Sequence, residues 1–417
     1  MRYAPRGPVH GETLCTNRPE ANVPGGDSVT DLAARRLREL STGIFAELQN
    51  RKRQVRERGL DVIDLSVGSP DLPPPQVVRD ALTEAVQDVT QYGYALSGTD
   101  AFADAVADFY MSRYGVELDP RKEVLQVMGS QDGLAHLALA MLDPGDVVLA
   151  PDPGYPIYHA SVHIAGGTLY TMPLRPENGF LPRFDIIPQE IVAKAKLMIL
   201  NHPGNPVPTL ATEEFFSEAI EFAKRYEIVI AHDFAYSELV YDGLRPVSFL
   251  SVPRAREVGF EFNSLSKTFN MAGARIGYAV GSEHLLAPLR MLKSHIDYGI
   301  FFPIQRAATA ALRSDATLLL HQANIYEARR DALVDGLSAA GWKVDKPHAT
   351  MFLWAKLPVG WTSKEFALTL IEQAGVAVTP GDAFGEEGEG YVRIALVQPA
   401  EVLGEAARRI GRVLAGS

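Results

Sequence analysis

The chain has 417 residues, more than one hydrophobic core usually serves, so we expect at least two domains. Its hydrophobic content of 47% and charged content of 22% are typical of a globular protein. The net charge of −11 disfavours a nucleic-acid-binding protein, which usually carries a basic face. Cys15 is the only cysteine, which excludes an internal disulfide or a cysteine-rich zinc site. With no apolar run that could cross a bilayer and no signal pattern, we expect a cytoplasmic protein.

The first elements read as an extension, a helix and a short strand. Residues 1–27 mix proline, glycine and polar residues, which predicts a flexible N-terminal extension. Apolar residues recur with helical spacing over residues 31–59, and residues 61–67 read as a strand. Pro75 follows two further prolines and is a candidate start for the next helix.

Helices and strands then alternate. The strand candidates are short, almost wholly apolar and separated by amphipathic helices. They are residues 147–150, 197–200, 228–231 and 260–262. This pattern predicts an α/β domain with a buried, mostly parallel sheet.

A second region begins near residue 305. Its pattern predicts one long helix over residues 303–341, strands over 351–355 and 391–396, and a closing helix over 401–415. We expect the N-terminal helix to pack with this region.

The stretch at residues 264–277 carries the strongest chemical signal. Lys267 lies among small hydroxyl residues and follows a strand-like run. Lysine is the side chain that forms imines with carbonyls and with pyridoxal phosphate. Ser264, Ser266 and Arg275 are candidate donors to a phosphate. The alternative is a basic residue in a surface loop.

Two further segments suggest a place for an anion and a planar ring. Gly129-Ser130-Gln131 precede an apolar helix over residues 134–142, and a helix N-terminus attracts anions. The alternative is an ordinary helix start with Ser130 as the N-cap. Tyr155 follows a strand and lies between prolines, where it could stack on a ring or be a buried aromatic of a turn.

Polar residues also follow later strands. Asn205 follows residues 197–200 and is either a donor to a ring oxygen or a turn asparagine. Asp233 could keep a heteroaromatic nitrogen protonated, or cap the following turn, and Tyr236 comes three residues later. Arg393 lies in a strand and either binds a carboxylate or reaches solvent from a sheet edge.

The ordered set of these residues resembles the fold-type I, class I and II aminotransferases, which depend on pyridoxal phosphate. The resemblance extends from about residue 31 to the end and is sharpest at residues 143–149, 151–158, 232–236 and 264–277. Residues 67–74, 151–156 and 293–299 are most similar to the LL-diaminopimelate aminotransferase-like branch.

The resemblance implies a large domain with a seven-stranded, mostly parallel sheet and a smaller α+β domain. It also implies that pyridoxal phosphate forms a Schiff base with Lys267, which later moves the substrate proton. Asp233 would pair with the ring nitrogen, while Tyr236 and Asn205 would bond the ring oxygen. Tyr155 would stack on the ring, and Arg393 with Gly68 would bind the substrate carboxylate. The implied phosphate-binding residues are Ser130, Gln131, Ser264, Ser266 and Arg275.

The resemblance also implies a homodimer with shared active sites, in which a tyrosine of the partner subunit reaches the phosphate. Tyr92 and Tyr94 are both candidates for that tyrosine in this chain, and we predict that it is Tyr94. Phe45, Tyr298 and Phe301 are candidate walls of the substrate pocket.

The sequence departs from the family pattern in four places. Asn205 is followed by Pro-Val-Pro instead of Pro-Thr-Gly, Phe102-Ala103 replace a Leu-Arg pair, and Ala274 replaces a tryptophan. Gln131 replaces a lysine typical of the diaminopimelate enzymes, which bears on the choice of substrate.

The predicted function is transamination of an L-amino acid, LL-diaminopimelate being one candidate, with a 2-oxo acid such as 2-oxoglutarate. The alternatives are a carbon–sulfur lyase of the same fold and an alanine, aromatic or broad-specificity aminotransferase. A ligand-sensing regulatory module is disfavoured because residues 1–30 are too short for a DNA-binding domain. The predicted divisions are an extension at 1–27, an N-terminal segment at 28–72, a cofactor-binding domain at 73–304 and a small domain at 305–417.

Overall fold

A computed structural model describes residues 34–37, 40 and 43–416, and the predicted extension at residues 1–27 lies outside them. The chain divides into two units, Met1–Leu40 and Ser41–Ser417. In the first unit, the described residues form one 3-10 turn at Arg35–Leu37. The second unit contains all the helices and strands discussed below.

The second unit alternates helices with strands. The strands are β1 Ile63–Asp64, β2 Val124–Val127, β3 Val147–Asp152, β4 Thr168–Pro173, β5 Ala195–Leu200, β6 Val229–Asp233, β7 Gly259–Ser264, β8 Gly277–Gly281, β9 Phe352–Lys356, β10 Val376–Ala377, β11 Thr379–Pro380 and β12 Tyr391–Ala395. The helices are α1 Gly43–Glu57, α2 Gln76–Gln87, α3 Asp100–Tyr114, α4 Ser130–Met141, α5 Pro156–Ala165, α6 Gln189–Val192, α7 Glu213–Tyr226, α8 Ala255–Val258, α9 Leu265–Thr268, α10 Glu283–Ile296, α11 Phe302–Leu312, α12 Ala316–Ala339, α13 Ser363–Thr369 and α14 Ala400–Ala415.

The central sheet has seven strands in the order β2-β8-β7-β6-β5-β3-β4. All neighbours from β7 to β4 are parallel, and β8 is antiparallel to both β2 and β7. The predicted seven-stranded, mostly parallel sheet is thus confirmed.

Helices on both faces of this sheet explain why its strands are continuous apolar runs. Along β3, Val148 belongs to one core cluster and Leu149 to the other. In β5, Ile199 belongs to the same cluster as Val148, and Met198 belongs to the same cluster as Leu149. Because successive side chains of a strand point to opposite faces, each strand must be apolar at every position.

A second, antiparallel sheet has the order β11-β12-β9, so β12 is its central strand. Helices α12 and α14 pack together, and a Cβ on Gly336 would lie 2.7 Å from Ala407 Cβ. Helix α1 packs through Leu48 and Val55 against Ile371 and Ala377 of the C-terminal region. The boundaries of the predicted domains stay a prediction.

Two predicted elements are wrong in extent. The helix predicted over residues 303–341 is two helices, α11 and α12, and the Asp315 side chain accepts a hydrogen bond from Thr317 N at the start of the second. The predicted strand over 61–67 is limited to β1, which pairs only with the two residues of β10. The helix predicted over residues 31–59 lies partly outside the described residues, and within them α1 spans Gly43–Glu57.

A search of the described residues finds no helix with the length and apolar character needed to cross a membrane.

Candidate active site

The residues predicted to carry the chemistry line one cavity of about 420 Å³. Strands β6 and β7 reach it with their last residues, Asp233 and Ser264, so it lies at the carboxyl edge of the central sheet. The predicted residues found in its lining are Gly68, Ser130, Gln131, Tyr155, Asn205, Asp233, Tyr236, Ser264, Ser266, Lys267, Arg275 and Arg393. Of the residues predicted to bind the cofactor, only Tyr94 is absent from this lining.

Lys267 lies on the single-turn helix α9, directly after β7. The turn is held by Ser264, whose Oγ accepts a hydrogen bond from Ser266 N at 3.2 Å. The Lys267 ammonium donates to Gly68 O at 2.7 Å. Burial, followed by the charges of Arg393 and Arg275, lowers the pKa of Lys267 to about 8. The alternative of a basic residue in a surface loop is therefore wrong.

The N-terminus of α4 meets the loop that carries Arg275 at one corner of the cavity. Gly129 precedes α4 at φ 82°, and no side chain caps this helix. Asp132 N donates to Gly129 O at 3.1 Å, so the N–H groups left for a ligand are those of Ser130 and Gln131. The alternative in which Ser130 caps the helix is wrong, because Ser130 is the first helical residue. A Cβ on Gly129 would lie 2.5 Å from Arg275 Nη2. Glycine thus lets the guanidinium approach the helix N-terminus.

Asp233 is buried at the end of β6 and is held by three hydrogen bonds. Its Oδ2 accepts from the Tyr158 hydroxyl at 2.8 Å and its Oδ1 from Ala235 N at 3.3 Å. Its carbonyl accepts from Asn201 Nδ2 at 2.7 Å. The bond to Ala235 N agrees with the turn-capping alternative. Burial raises the pKa of Asp233, which a positively charged partner would offset.

Tyr155 and Tyr236 supply aromatic walls near the lysine. The Tyr155 hydroxyl donates to Gln131 Oε1 at 2.8 Å, which links the two predicted residues directly. Tyr236 is buried, and the centroid of its ring lies 5.9 Å from Lys267 Nζ. Burial raises the pKa of both phenols.

Arg393 is buried on β12, so the alternative in which it reaches solvent from an edge strand is wrong. It donates from Nη1 to Asn205 Oδ1 at 2.8 Å and from Nη2 to Ser66 O at 2.7 Å. Its guanidinium lies between the rings of Phe352 and Phe384, with centroids at 4.4 and 4.7 Å.

No carboxylate of the described residues pairs with Arg393, and its Nε has no hydrogen-bond partner there. Burial lowers the pKa of Arg393 to about 10. A buried cation in this state is suited to receive an anion.

The sequence interpretation missed several residues of the site. Tyr158 bonds Asp233, Phe352 and Phe384 cover Arg393, and Ser66 holds it through a carbonyl. Only Tyr158 had a local signal, since it lies three residues after Tyr155 in the same helical turn. Ser66 and Phe352 come from segments far from Arg393 in the sequence, and Phe384, nine residues before it, lies in a turn outside the strand that carries Arg393.

The remaining aromatic predictions divide between the cavity and the surface. Phe45 lines the cavity, whereas Tyr298 and Phe301 are not in its lining. Tyr94 is 79% exposed and its ring contacts that of Tyr298 at 5.2 Å between centroids. Tyr92 donates from its hydroxyl to Val86 O at 2.9 Å and contacts Phe301.

The family description "Aminotransferase class I and II" matches residues 60–410. The chain belongs to the class I and II aminotransferases. It is therefore an aminotransferase that depends on pyridoxal phosphate, which confirms the predicted family, enzyme class and cofactor. The corner formed by α4 and Arg275, the buried Asp233 and the low pKa of Lys267 fit that cofactor.

Named relatives give a finer comparison. The chain is 46% identical to an LL-diaminopimelate aminotransferase of Moorella thermoacetica, covering 91% of this chain and 98% of the relative. Among solved structures, substrate-bound BacF from Bacillus subtilis is 38% identical with a TM-score of 0.88, covering 92% and 98% of the two chains. A probable N-succinyldiaminopimelate aminotransferase from Thermus thermophilus is 41% identical with a TM-score of 0.85, covering 89% and 100%.

Proposed function

We propose that this enzyme transfers the amino group between LL-diaminopimelate and a 2-oxo acid, with 2-oxoglutarate as the acceptor. The observation that carries transamination is the presence of Lys267, Asp233 and Arg393 in one cavity. The choice of LL-diaminopimelate rests on relatives of that name, which are 41–46% identical over most of the chain.

The residues that line the cavity suit the separate groups of the cofactor. Arg275, the first turn of α4, Ser264 and Ser266 would hold the phosphate. Asp233 would bond the ring nitrogen, Tyr155 would stack on the ring, and Asn205 with Tyr236 would bond its oxygen. When bound, the cofactor supplies a protonated pyridine that delocalises the negative charge left when the substrate Cα loses a proton.

Lys267 serves as the attachment point and, once free, as the general base. Its pKa of about 8 leaves a useful fraction of neutral amine near neutral pH. A positioned base of this kind contributes about 10²–10⁴-fold to the rate. Gly68 O accepts a hydrogen bond from the Lys267 ammonium. This bond holds the Lys267 nitrogen in the cavity that Arg393 also lines.

Arg393 would bind the α-carboxylate of both the amino acid and the 2-oxo acid. Asn205 and Ser66 hold two of its nitrogens, and the rings of Phe352 and Phe384 restrict its rotation. A guanidinium fixed in this way loses little entropy when the carboxylate binds.

A homodimer is part of the proposal. It is supported by an exposed aromatic and aliphatic surface, hereafter the aromatic surface, formed by Val89, Tyr92, Tyr94, Leu96 and Tyr298, whose exposed fractions lie between 61% and 84%. Apolar surface of this kind usually marks an interface. We propose that Tyr94 of this surface reaches the phosphate in the partner subunit.

A second candidate is an aminotransferase for an amino acid with an uncharged side chain. Phe45, Phe352 and Phe384 give the cavity apolar walls. Among its described lining residues, the cations are Lys267, Arg275 and Arg393, all of which already have proposed roles. Gln131, in place of a lysine, points the same way.

Single-turnover spectroscopy tests the proposal. The purified holoenzyme is mixed with one amino acid at a time, without an acceptor, and its visible absorbance is followed. We expect LL-diaminopimelate to convert the cofactor to its amino form much faster than alanine, aspartate or phenylalanine does, and 2-oxoglutarate to reverse the change. The variant Lys267→Ala, which keeps the rest of the cavity, should show no conversion.

Faster conversion by phenylalanine or alanine would support the second candidate instead. Release of ammonia and pyruvate from a sulfur amino acid without an acceptor would contradict transamination altogether.

A further inference from the structure

We propose that Lys52, on helix α1, is a positioning residue for transamination: through Asp64 and Ser66 it fixes the main chain that bonds Arg393 and Lys267. The inference rests on the family's reaction and on the proposed roles of these two cations. Lys52 itself is outside the cavity lining among the described residues.

Lys52 is an unusual residue for its place. It is 1% exposed and lies on the same face of α1 as the buried Leu48 and Val55, which pack against Ile371. Burying an ammonium costs several kcal/mol even when it is paired, and an apolar side chain often gives a more stable protein. A lysine here therefore suggests a requirement other than stability.

The Lys52 ammonium has two partners, one in the last residue of β1 and one two residues after it. It donates to Asp64 Oδ2 at 2.8 Å and to Ser66 Oγ at 3.3 Å. The other carboxylate oxygen of Asp64 accepts from Ser66 N at 3.1 Å and from Ser66 Oγ at 2.6 Å. These four bonds form a closed cluster that fixes the conformation of residues 64–66.

The cluster matters because the next carbonyls hold the cations of the site. Ser66 O accepts from Arg393 Nη2 at 2.7 Å and from Thr379 Oγ1 at 2.8 Å. Two residues later, Gly68 O accepts from Lys267 Nζ at 2.7 Å. Strand pairing of this segment ends at Leu65, whose N–H donates to Ala377 O, so the side chains of the cluster take over from there.

Loss of the Lys52 ammonium would remove its hydrogen bonds to Asp64 and Ser66. The Asp64 side chain, already 28% exposed, would turn toward water, and Ser66 would lose its bonds to the Lys52 ammonium and to Asp64 Oδ1. Arg393 would then be free to move with the Ser66 carbonyl. We expect weaker binding of both carboxylate substrates, on the order of tenfold, the worth of one charge-assisted hydrogen bond.

The test compares the holoenzyme with Lys52→Met and Asp64→Asn. Both variants should raise the KM for the amino donor and for the 2-oxo acid by about tenfold, with a smaller change in kcat and an unchanged cofactor spectrum. The double variant should lose no more than either single variant, because both changes break the same cluster. Lys52→Arg, which keeps a positive donor, should restore much of the affinity.

Arg330→Met is the matched control. Arg330 is also fully buried and pairs with an aspartate, Asp242, at 2.7 Å, yet it does not line the cavity. The Arg330→Met variant should have a lower unfolding temperature than the unmodified protein and the same KM for both substrates.

Unchanged KM values in Lys52→Met and Asp64→Asn, or additive losses in the double variant, would overturn the proposal even if stability falls. If Lys52→Met does not fold, Asp64→Asn alone decides, since it keeps the size of the side chain. A KM that rises equally in Arg330→Met would also overturn it. Failure of LL-diaminopimelate as a substrate would leave this test intact with whichever amino donor reacts.

Discussion

At the scale of single residues, the cavity is defined by an excess of positive charge. Lys267, Arg275 and Arg393 line it together with one carboxylate among the described lining residues, Asp233. Burial and then the charges of the two arginines lower the pKa of Lys267, and burial lowers that of Arg393. The site is thus prepared for an anionic cofactor and substrate, which would restore the balance of charge.

The pKa of Lys267 leads to a prediction for cofactor attachment. Only the neutral amine attacks a carbonyl, so the rate at which the cofactor-free protein regains its visible absorbance with pyridoxal phosphate should rise with pH through about 8. Arg393→Met removes a neighbouring positive charge and should move this midpoint to higher pH. The reference is the unmodified protein measured in the same buffers; identical midpoints would contradict the coupling of the two cations.

At the scale of elements, Gly129 joins β2 to α4 with a backbone that suits glycine and brings the helix N-terminus to Arg275. The local sequence pattern predicted an anion site at the start of α4. It did not predict that the Arg275 guanidinium lies against Gly129, because Arg275 is distant in the sequence. The error over residues 303–341 has a local cause instead. Helical periodicity continues across α11 and α12, and only Asp315 marks the break.

Gly129→Ala should weaken cofactor binding. The new Cβ would meet the Arg275 guanidinium, so we expect the dissociation constant of pyridoxal phosphate to rise by about tenfold or more, as measured by equilibrium dialysis with the Lys267→Ala background to avoid covalent attachment. Gly145→Ala is the control, because Gly145 has φ 95° and nothing within 4 Å of its Cβ. Both changes carry a backbone cost of about 1–2 kcal/mol, so equal cofactor affinities would contradict the steric argument.

At the scale of the whole described unit, the C-terminal region closes over the central sheet near the cavity. Gly154 N donates to Phe384 O at 2.8 Å, and Glu387 N donates to Asp152 Oδ1 at 3.2 Å. Arg175 forms a two-bonded ion pair with Glu387. Phe384, which covers Arg393, is thereby attached to the end of β3.

Asp152 should make this attachment sensitive to pH. Burial, opposed by the Glu387 N–H and reinforced by the Glu387 charge, raises the pKa of Asp152 to about 6. A carboxyl whose folded pKa lies above its ordinary value stabilises the protein below that ordinary value, and the stabilisation is lost as pH rises through about 6.

Thermal unfolding of the native protein and of Asp152→Asn at pH 4, 5, 6 and 7 measures this effect. The native protein should lose about 1–2 kcal/mol relative to the variant between pH 4 and 7, since one pKa unit corresponds to about 1.4 kcal/mol and solvent screening reduces the total. Other titrating groups contribute equally to both proteins, so their effect cancels when the two free energies of unfolding are subtracted. A difference that does not vary with pH would show that Asp152 has an ordinary pKa.

The sequence alone determined the apolar strands, the order of the polar residues that follow them and the lysine at residue 267. These features depend on neighbours along the chain: side chains alternate within a strand, and parallel strands bring their carboxyl ends to one edge. The tertiary structure alone decided which distant segments meet there. Arg393 lies 188 residues from Asn205, and Lys52 reaches Arg393 only through the fold of residues 64–66. No local pattern encodes such contacts, because they follow from how the second sheet and α1 pack against the rest of the unit.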